Sequence, residues 1–130
     1  MRIGEVAKEV QMPVDTIRFY ERVGLLPKPG RTASNYRTYS NAHVDRLIFI
    51  RRCRGLDMSL DEIRLLLQLS GEPQRQCDTV NDILEEHICQ VESRIVELQS
   101  LEKQLKQLRT VCHGPGKAKR CEVLKVLRAA

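Results

Sequence analysis

The feature that most constrains the fold is one long helical pattern in the second half of the chain. From about Asp78 to Val111 there is no glycine or proline, and apolar residues recur at steps of three and four. This spacing is that of a coiled-coil seam, with a three-residue stammer near Leu98. The seam consists of Leu84, Ile88, Val91, Ile95, Leu98, Leu101, Leu105 and Leu108.

A helix of this length has to find a partner for its seam. At 1.5 Å per residue it reaches about 50 Å, which is more than a head of about 70 residues at one end can cover. The simplest partner is a second copy of the same helix, because most oligomers are built from identical subunits. The sequence therefore predicts a mostly α protein that forms a homodimer.

Charge is divided along the chain in a way that favours one end for nucleic acid. Residues 1–56 carry 11 Lys/Arg and 5 Asp/Glu, residues 57–110 carry 6 and 11, and residues 111–130 carry 5 and 1. A basic segment with interleaved tyrosines suits a polyanion, whereas an acidic helix is repelled by one. The head is therefore the candidate for DNA binding.

The head has the pattern of a helix-turn-helix followed by a wing. Apolar residues at 3, 6, 7 and 10 predict a first helix, and Pro13 is expected at the first position of a second helix that Gly24 terminates. Alternating residues around 30–40 predict a short hairpin. Ser40 or Asn41 is expected to cap a third helix, and Ser59 with Glu62 forms a capping box for a fourth.

These patterns define the expected organisation. The winged helix-turn-helix head covers 1–69, with the helix-turn-helix at about 3–22 and the wing at about 30–40. A linker at 70–76 leads to an antiparallel coiled-coil dimerisation helix at 77–111. A metal-binding loop and a short helix are expected at 112–130.

Several motifs of the head resemble those of the MerR family of transcription regulators, in the family's order. They are Ile3-Gly4-Glu5-Val6-Ala7, Thr16-Ile17-Arg18-Phe19-Tyr20-Glu21-Arg22, Gly24-Leu25-Leu26, Asn35-Tyr36-Arg37-Thr38-Tyr39 and Leu60-Asp61-Glu62-Ile63. Two further stretches, at 53–58 and 80–88, resemble the cadmium- and lead-responsive branch. The resemblance implies a dimer that represses a promoter without metal, activates it with metal by distorting the DNA, and works with RNA polymerase.

The predicted DNA contacts lie on the second helix and on the wing. A recognition helix can enter the major groove, where arginine binds guanine edges or phosphates. Most of these contacts are expected to position the protein rather than to read bases, and Phe19 is expected in the core. The DNA-binding candidates are Thr16, Arg18, Tyr20, Arg31, Asn35, Arg37 and Tyr39.

Three cysteines lie near the two ends of the long helix. Cys77 precedes it and Cys112 follows it, so on one chain their thiols would be about 50 Å apart. Antiparallel pairing would bring Cys77 of one subunit to Cys112 and Cys121 of its mate. The Gly-Pro-Gly loop between the last two would let them share an ion, with His113 as a possible fourth ligand.

Thiolate ligands favour soft or borderline metals over calcium and magnesium. The branch resemblance favours Cd²⁺ or Pb²⁺, and Hg²⁺ or Zn²⁺ remain alternatives, because the same ligand type and spacing occur in several sensors. The other candidates are weaker. Cys53 is expected to be buried, Cys89 and His87 are marginal candidates for a second site, and His43 is expected on the surface.

The cysteines also suggest two other function classes. A metal-buffering protein would bind the ion without sequence-specific DNA affinity. A thiol enzyme or redox sensor is disfavoured because the sequence has no C-x-x-C motif and resembles no catalytic site, so no catalytic residue is assigned. The first five residues lack the apolar run of a signal peptide, and no run of about 18 apolar residues occurs, so we expect a cytoplasmic protein with no membrane partner.

Overall fold

The computed structural model describes residues 1–31, 37–72, 77–111 and 121–129, with the backbone alone for Arg37. The described part is mostly helical and divides into two units, Met1–Val80 and Asn81–Ala130. No helix among the described residues is long and apolar enough to cross a membrane. The elements follow in the order α1 (Ile3–Val10), α2 (Val14–Arg22), β1 (Gly30–Arg31), β2 (Arg37–Thr38), α3 (Asn41–Gly55), α4 (Leu60–Ser70), α5 (Asp78–Val111) and α6 (Glu122–Arg128).

The helix-turn-helix consists of α1 and α2 with a tight turn between them. Gln11 ends α1 in the left-handed region, with φ 54°. Pro13, expected as the first helical residue of α2, is instead its N-cap, and the helix begins at Val14. Beyond α2, Gly24 has φ 82°, which agrees with the predicted glycine at the end of this helix.

The wing base is a two-stranded antiparallel ladder. Gly30 pairs with Thr38 and Arg31 with Arg37. A main-chain hydrogen bond also joins the start of the chain to the residue after β2: the Tyr39 N–H donates to the Met1 carbonyl at 2.7 Å. The hairpin is therefore anchored to the segment that leads into α1.

One hydrophobic core holds the head together. Its fully buried side chains come from α1, α2, α3, α4 and the segment after α2: Val6, Val10, Ile17, Leu25, Leu26, Leu47, Ile50 and Ile63. Cys53 is also buried, as predicted. The capping box predicted for α4 is present, since the Ser59 hydroxyl accepts from the Glu62 N–H at 3.1 Å and Glu62 accepts from the Ser59 N–H at 2.9 Å.

Arginines of α3 and α4 bind backbone carbonyls of other segments. Arg51 donates to the Val10 carbonyl at 2.6 Å, and Arg64 donates to the Val23 carbonyl at 3.1 Å. Both acceptors lie at helix C-termini, where carbonyls lack intrahelical partners and favour a cation. Arg51 of α3 therefore helps to fix α1, and Arg64 of α4 helps to fix α2.

The second unit is dominated by the long helix. α5 covers the residues over which the heptad pattern predicts a helix, and most of its side chains are exposed. His87 is the buried residue of this helix, with 8% of its surface exposed. The short helix α6 begins directly after Cys121, which is its N-cap.

Candidate nucleic-acid interface and metal ligands

The exposed face of α2 carries two arginines and an aromatic ring. Arg18, Phe19 and Arg22 are exposed, at the i, i+1 and i+4 positions of one helical face, while Ile17 and Tyr20 point into the core. The Arg22 guanidinium lies 5.8 Å from the centre of the Phe19 ring. This face is therefore cationic and partly aromatic, as expected for a helix that meets DNA.

Phe19 and Tyr20 exchange the roles that the sequence predicts for them. Phe19 is 36% exposed, so the expectation that it lies in the core is wrong. Tyr20 is 6% exposed because, three residues after Ile17, it shares the buried face of α2. Because Tyr20 is a core residue, this structure does not support its predicted DNA contact.

A groove of about 510 Å³ lies between α2 and the wing base. Four cationic side chains line it, together with Glu21 and the ring of Tyr39, whose hydroxyl donates to a Glu21 carboxylate oxygen. Excess positive charge in a groove of this kind suits a phosphate backbone. The four cations are Arg18, Arg22, Lys28 and Arg31.

The remaining predicted DNA residues take different positions. Arg31 is exposed at the wing base, and Thr16 is half-buried on α2. Tyr39 lines the groove but is only 3% exposed, so little of its surface is available for the predicted contact. Asn35 lies outside the described residues, and for Arg37 only the backbone pairing with Arg31 is described.

Arg22 and Lys28 also line the groove, although neither is among the DNA contacts predicted from the sequence. The signal for Arg22 was available, because it lies one helical turn after Arg18 on the same face. Lys28 stands between Pro27 and Pro29 in a loop. No periodicity predicts the direction of a side chain in such a segment.

The predicted metal ligands are only partly described. Cys77 is exposed directly before α5, and Cys121 is half-buried at the start of α6. Cys112 and His113 lie outside the described residues. Within the described ranges no group of three or more His, Cys, Asp or Glu side chains could hold a metal ion.

The structure also shows the burial of Cys53, Cys89 and His43. Burial raises the pKa of the Cys53 thiol, so this cysteine stays protonated in the core. Cys89 is exposed on α5. His43, expected at the surface, is half-buried, and both of its ring nitrogens have hydrogen-bond partners.

The apolar seam of α5 is exposed over most of its length. Ile95 is 49% exposed and Leu101 is 47% exposed, and other seam residues from Leu84 to Leu105 behave alike. A run of large apolar side chains in water is unfavourable unless another surface covers it. The helix therefore presents an interaction surface along one stripe.

Comparison with known proteins finds two family descriptions that match this chain. Residues 1–70 match a family described as MerR HTH family regulatory protein, and residues 44–108 match one described as MerR, DNA binding. A curated relative, the HTH-type transcriptional regulator ZntR homolog of Haemophilus influenzae, is 46% identical over 109 residues, which cover 84% of this chain and 81% of the relative.

Two solved structures are similar over nearly the whole chain. The transcription regulator PbrR691 of Ralstonia metallidurans CH34, in complex with lead(II), has a TM-score of 0.83 and 46% identity, with 98% of both chains covered. The dual function regulator MerR of Bacillus megaterium MB1, in complex with mercury(II), has a TM-score of 0.72 and 30% identity, with 99% of this chain and 100% of that chain covered.

Proposed function

The chain belongs to the MerR family of helix-turn-helix regulatory proteins, and on that premise we propose that it is a heavy-metal-responsive transcriptional regulator. It binds promoter DNA as a homodimer, represses without metal and activates with metal, and works with RNA polymerase. The observation that carries the DNA-binding part is the cationic groove between α2 and the wing base. Cd²⁺ or Pb²⁺ is the proposed inducer.

The DNA contacts are assigned from the groove. Arg18 and Arg31 stand on its two sides, on α2 and on β1, where they can hold successive phosphates or a guanine edge. Arg22 and Lys28 line the same groove and are proposed as further DNA contacts. Thr16, Asn35, Arg37 and Tyr39 remain proposed contacts from the sequence, and the Tyr39 hydroxyl is bound to Glu21.

A salt titration of DNA binding tests this assignment. Each cation that contacts a phosphate lowers the salt slope of log K by about one when it is removed. We expect Arg18→Ala to weaken binding about 10-fold or more and to reduce that slope. Arg52→Ala removes an exposed cation of α3 that is absent from the groove, and should leave both quantities nearly unchanged. Equal effects of the two substitutions would contradict the groove assignment.

Dimerisation is proposed through the seam of α5, with the two helices antiparallel. Residues 78–94 contain 5 Asp/Glu and 1 Arg, whereas residues 95–111 contain 2 Glu and 3 Lys/Arg. Antiparallel pairing places the acidic half of each helix against the more basic half of its mate, and parallel pairing would place acidic half against acidic half. Charge complementarity of this kind sets helix orientation in coiled coils.

The proposed sensor site combines both subunits. Cys77 of one chain would join Cys112 and Cys121 of the other, with His113 as a possible further ligand. The donor chemistry fits soft metal ions, since thiolates are soft ligands. Cys77 is exposed and Cys121 is half-buried. The similarity to the lead(II)-bound regulator supports Pb²⁺, and the mercury(II)-bound structure supports Hg²⁺ as the alternative. Cd²⁺ and Zn²⁺ are proposed from the sequence alone.

The inducer test uses a promoter reporter with a panel of Cd²⁺, Pb²⁺, Hg²⁺ and Zn²⁺. Cys77→Ser, Cys112→Ser and Cys121→Ser should each abolish induction while operator binding stays largely intact. Cys89→Ser is the matched control, because this thiol is exposed on α5 and lies outside the proposed site. Full induction in the Cys112→Ser protein would contradict the site.

Activation is proposed to work by distortion of the promoter. Bending or untwisting a short site costs a few kcal/mol. Metal needs a comparable difference in affinity between two states of the protein to switch between them. The alternative of a metal buffer predicts metal binding without a preferred DNA sequence, so selection of duplexes from a random pool separates the two.

A further inference from the structure

His43 joins the two ends of the segment that carries the wing. Its Nδ1 accepts a hydrogen bond from the Ser40 backbone N–H at 3.1 Å, and its Nε2 lies 3.1 Å from the Pro27 carbonyl oxygen. The ring also stands edge-on to Tyr39, with centroids 5.4 Å apart and planes at 80°. Pro27 precedes β1, while Tyr39 and Ser40 follow β2. One side chain therefore closes the base of the hairpin.

These two bonds fix the protonation state of the ring. A backbone N–H can only donate, so Nδ1 must be without a proton, and a carbonyl can only accept, so Nε2 must carry one. The Ser40 hydroxyl, with its oxygen 3.0 Å from Nδ1, can donate to the same nitrogen. The arrangement thus requires a neutral imidazole in a single tautomer.

Protonation of His43 would disturb this arrangement in two ways. A proton on Nδ1 faces the Ser40 N–H, which then loses its acceptor, even though the Ser40 hydroxyl could turn to accept from the ring. The new charge also stands in the first turn of α3, where the helix dipole disfavours a cation. Imidazole is the side chain whose charge ordinarily changes within about pH 5–8.

The charged groups around His43 do not cancel these effects. Asp45 and Arg46 of α3 line the same groove of about 340 Å³ as His43 and Pro27, and they carry opposite charges. Lys28 follows Pro27 in the chain, and the carboxylate of Glu21 is engaged by the Tyr39 hydroxyl. α4 contributes the uncharged Leu67 and Ser70 to this groove.

We propose that His43 is a positioning residue for DNA binding, which holds the wing base beside α2 only while its imidazole is neutral. The proposal rests on the DNA-binding function proposed above. Its sign is distinctive, because added positive charge would by itself strengthen binding to DNA. Acidification is therefore expected to weaken binding through His43, against the general electrostatic trend.

The test is an equilibrium titration of the full-length protein with a DNA duplex that the wild type selects in vitro. The dissociation constant is measured from about pH 8 to about pH 5.5 at constant salt. We expect the wild type to bind about three- to tenfold more weakly at the acidic end. His43→Gln should show no such loss, because its side-chain oxygen can still accept from the Ser40 N–H and does not titrate. His87→Gln, which alters the histidine of α5, should keep the wild-type profile.

The outcomes separate this inference from the function on which it rests. Equal pH profiles for wild type and His43→Gln, at equal thermal stability, would overturn the role of His43. A wild type that selects no duplex at any pH would instead overturn the DNA-binding proposal. Nitrogen chemical shifts of His43 give a reading that does not depend on the variant folding. A proton on Nε2 at neutral pH supports the proposal, and one on Nδ1 contradicts it.

Discussion

At the scale of single residues, Gly24 shows how one backbone angle sets the path from α2 into the core. Its φ of 82° lies in the left-handed region, and the next two N–H groups, of Leu25 and Leu26, both donate to the Tyr20 carbonyl. A side chain at this position is strained whatever space surrounds it. The buried pair Leu25 and Leu26 depends on this turn to enter the core.

We therefore predict that Gly24→Ala lowers the free energy of unfolding by about 1–2 kcal/mol. Gly55→Ala is the matched control, because Gly55 lies at the end of α3 with nothing within 4 Å of an added Cβ. That substitution should leave stability unchanged or raise it by up to about 1 kcal/mol. Thermal unfolding at one fixed protein concentration compares them. Equal losses would show that the positive φ of Gly24 is not what matters.

Cys53 gives a second test at this scale. Burial raises the pKa of its thiol, so at any given pH a smaller fraction is thiolate, the form that reacts with alkylating agents. At about pH 8 we expect iodoacetamide to modify Cys53 at least about 10-fold more slowly than the exposed Cys89, as followed by peptide mass spectrometry. The difference should vanish in denaturant. Equal rates in the folded protein would mean that Cys53 is accessible.

At the scale of elements, the exposed stripe of α5 predicts where dimerisation can be broken. Ile95 lies on the seam and is 49% exposed, while its neighbour Val96 lies off the seam and is 65% exposed. Burying a large aliphatic side chain contributes about 1.5–3 kcal/mol, and a carboxylate in its place adds a desolvation cost.

Ile95→Glu should therefore raise the dimer dissociation constant by at least about 100-fold, since each dimer carries the change twice. Val96→Glu introduces the same charge one residue away and should leave the dimer intact. Analytical ultracentrifugation over a range of concentrations measures both. A dimer that survives Ile95→Glu would place the interface elsewhere on the molecule.

The elements that sequence predicts well are those whose signals are local. The Ser59–Glu62 capping box and the end of α2 at Gly24 depend on residues within one turn of each other. The hydrogen bond of Arg51 could not be predicted, because the Val10 carbonyl that it binds lies 41 residues away in sequence. The exchange of Phe19 and Tyr20 is different, because a local signal was available. Tyr20 lies three residues after the buried Ile17 and so shares its face of α2.

At the scale of the whole molecule, the sequence predicts which ligand atoms the candidate metal site would use, but not how they come together. Thiols at 77, 112 and 121 indicate a soft metal ion from ligand type alone. Their proposed meeting depends on how two chains pair, which no local pattern in one chain determines. The groove cations were partly predictable, because Arg18 and Arg31 belong to recognisable motifs, whereas Lys28 reaches the groove from a loop.

The inter-subunit character of the metal site can be tested by mixing two inactive variants. Cys77→Ser and Cys112→Ser homodimers should each lack both sites. In a mixed dimer, however, the intact Cys77 of one chain faces the intact Cys112 and Cys121 of the other, so one complete site is restored. Free exchange of subunits makes half of the dimers mixed, and about a quarter of the wild-type capacity should return. Sites built within one chain would restore nothing.

A titration with Pb²⁺, followed by the thiolate-to-metal charge-transfer absorption, measures the metal-binding capacity of each mixture. A mixture of the Cys112→Ser and Cys121→Ser proteins is the matched control, because in the proposed arrangement both residues of a site come from the same chain. Each site of that mixed dimer lacks one thiol, and no capacity should return. Recovery in both mixtures would mean that each site takes Cys112 and Cys121 from different chains. Recovery in the first mixture alone requires each site to take Cys77 from one chain and Cys112 with Cys121 from its mate, which helices paired in parallel could not provide.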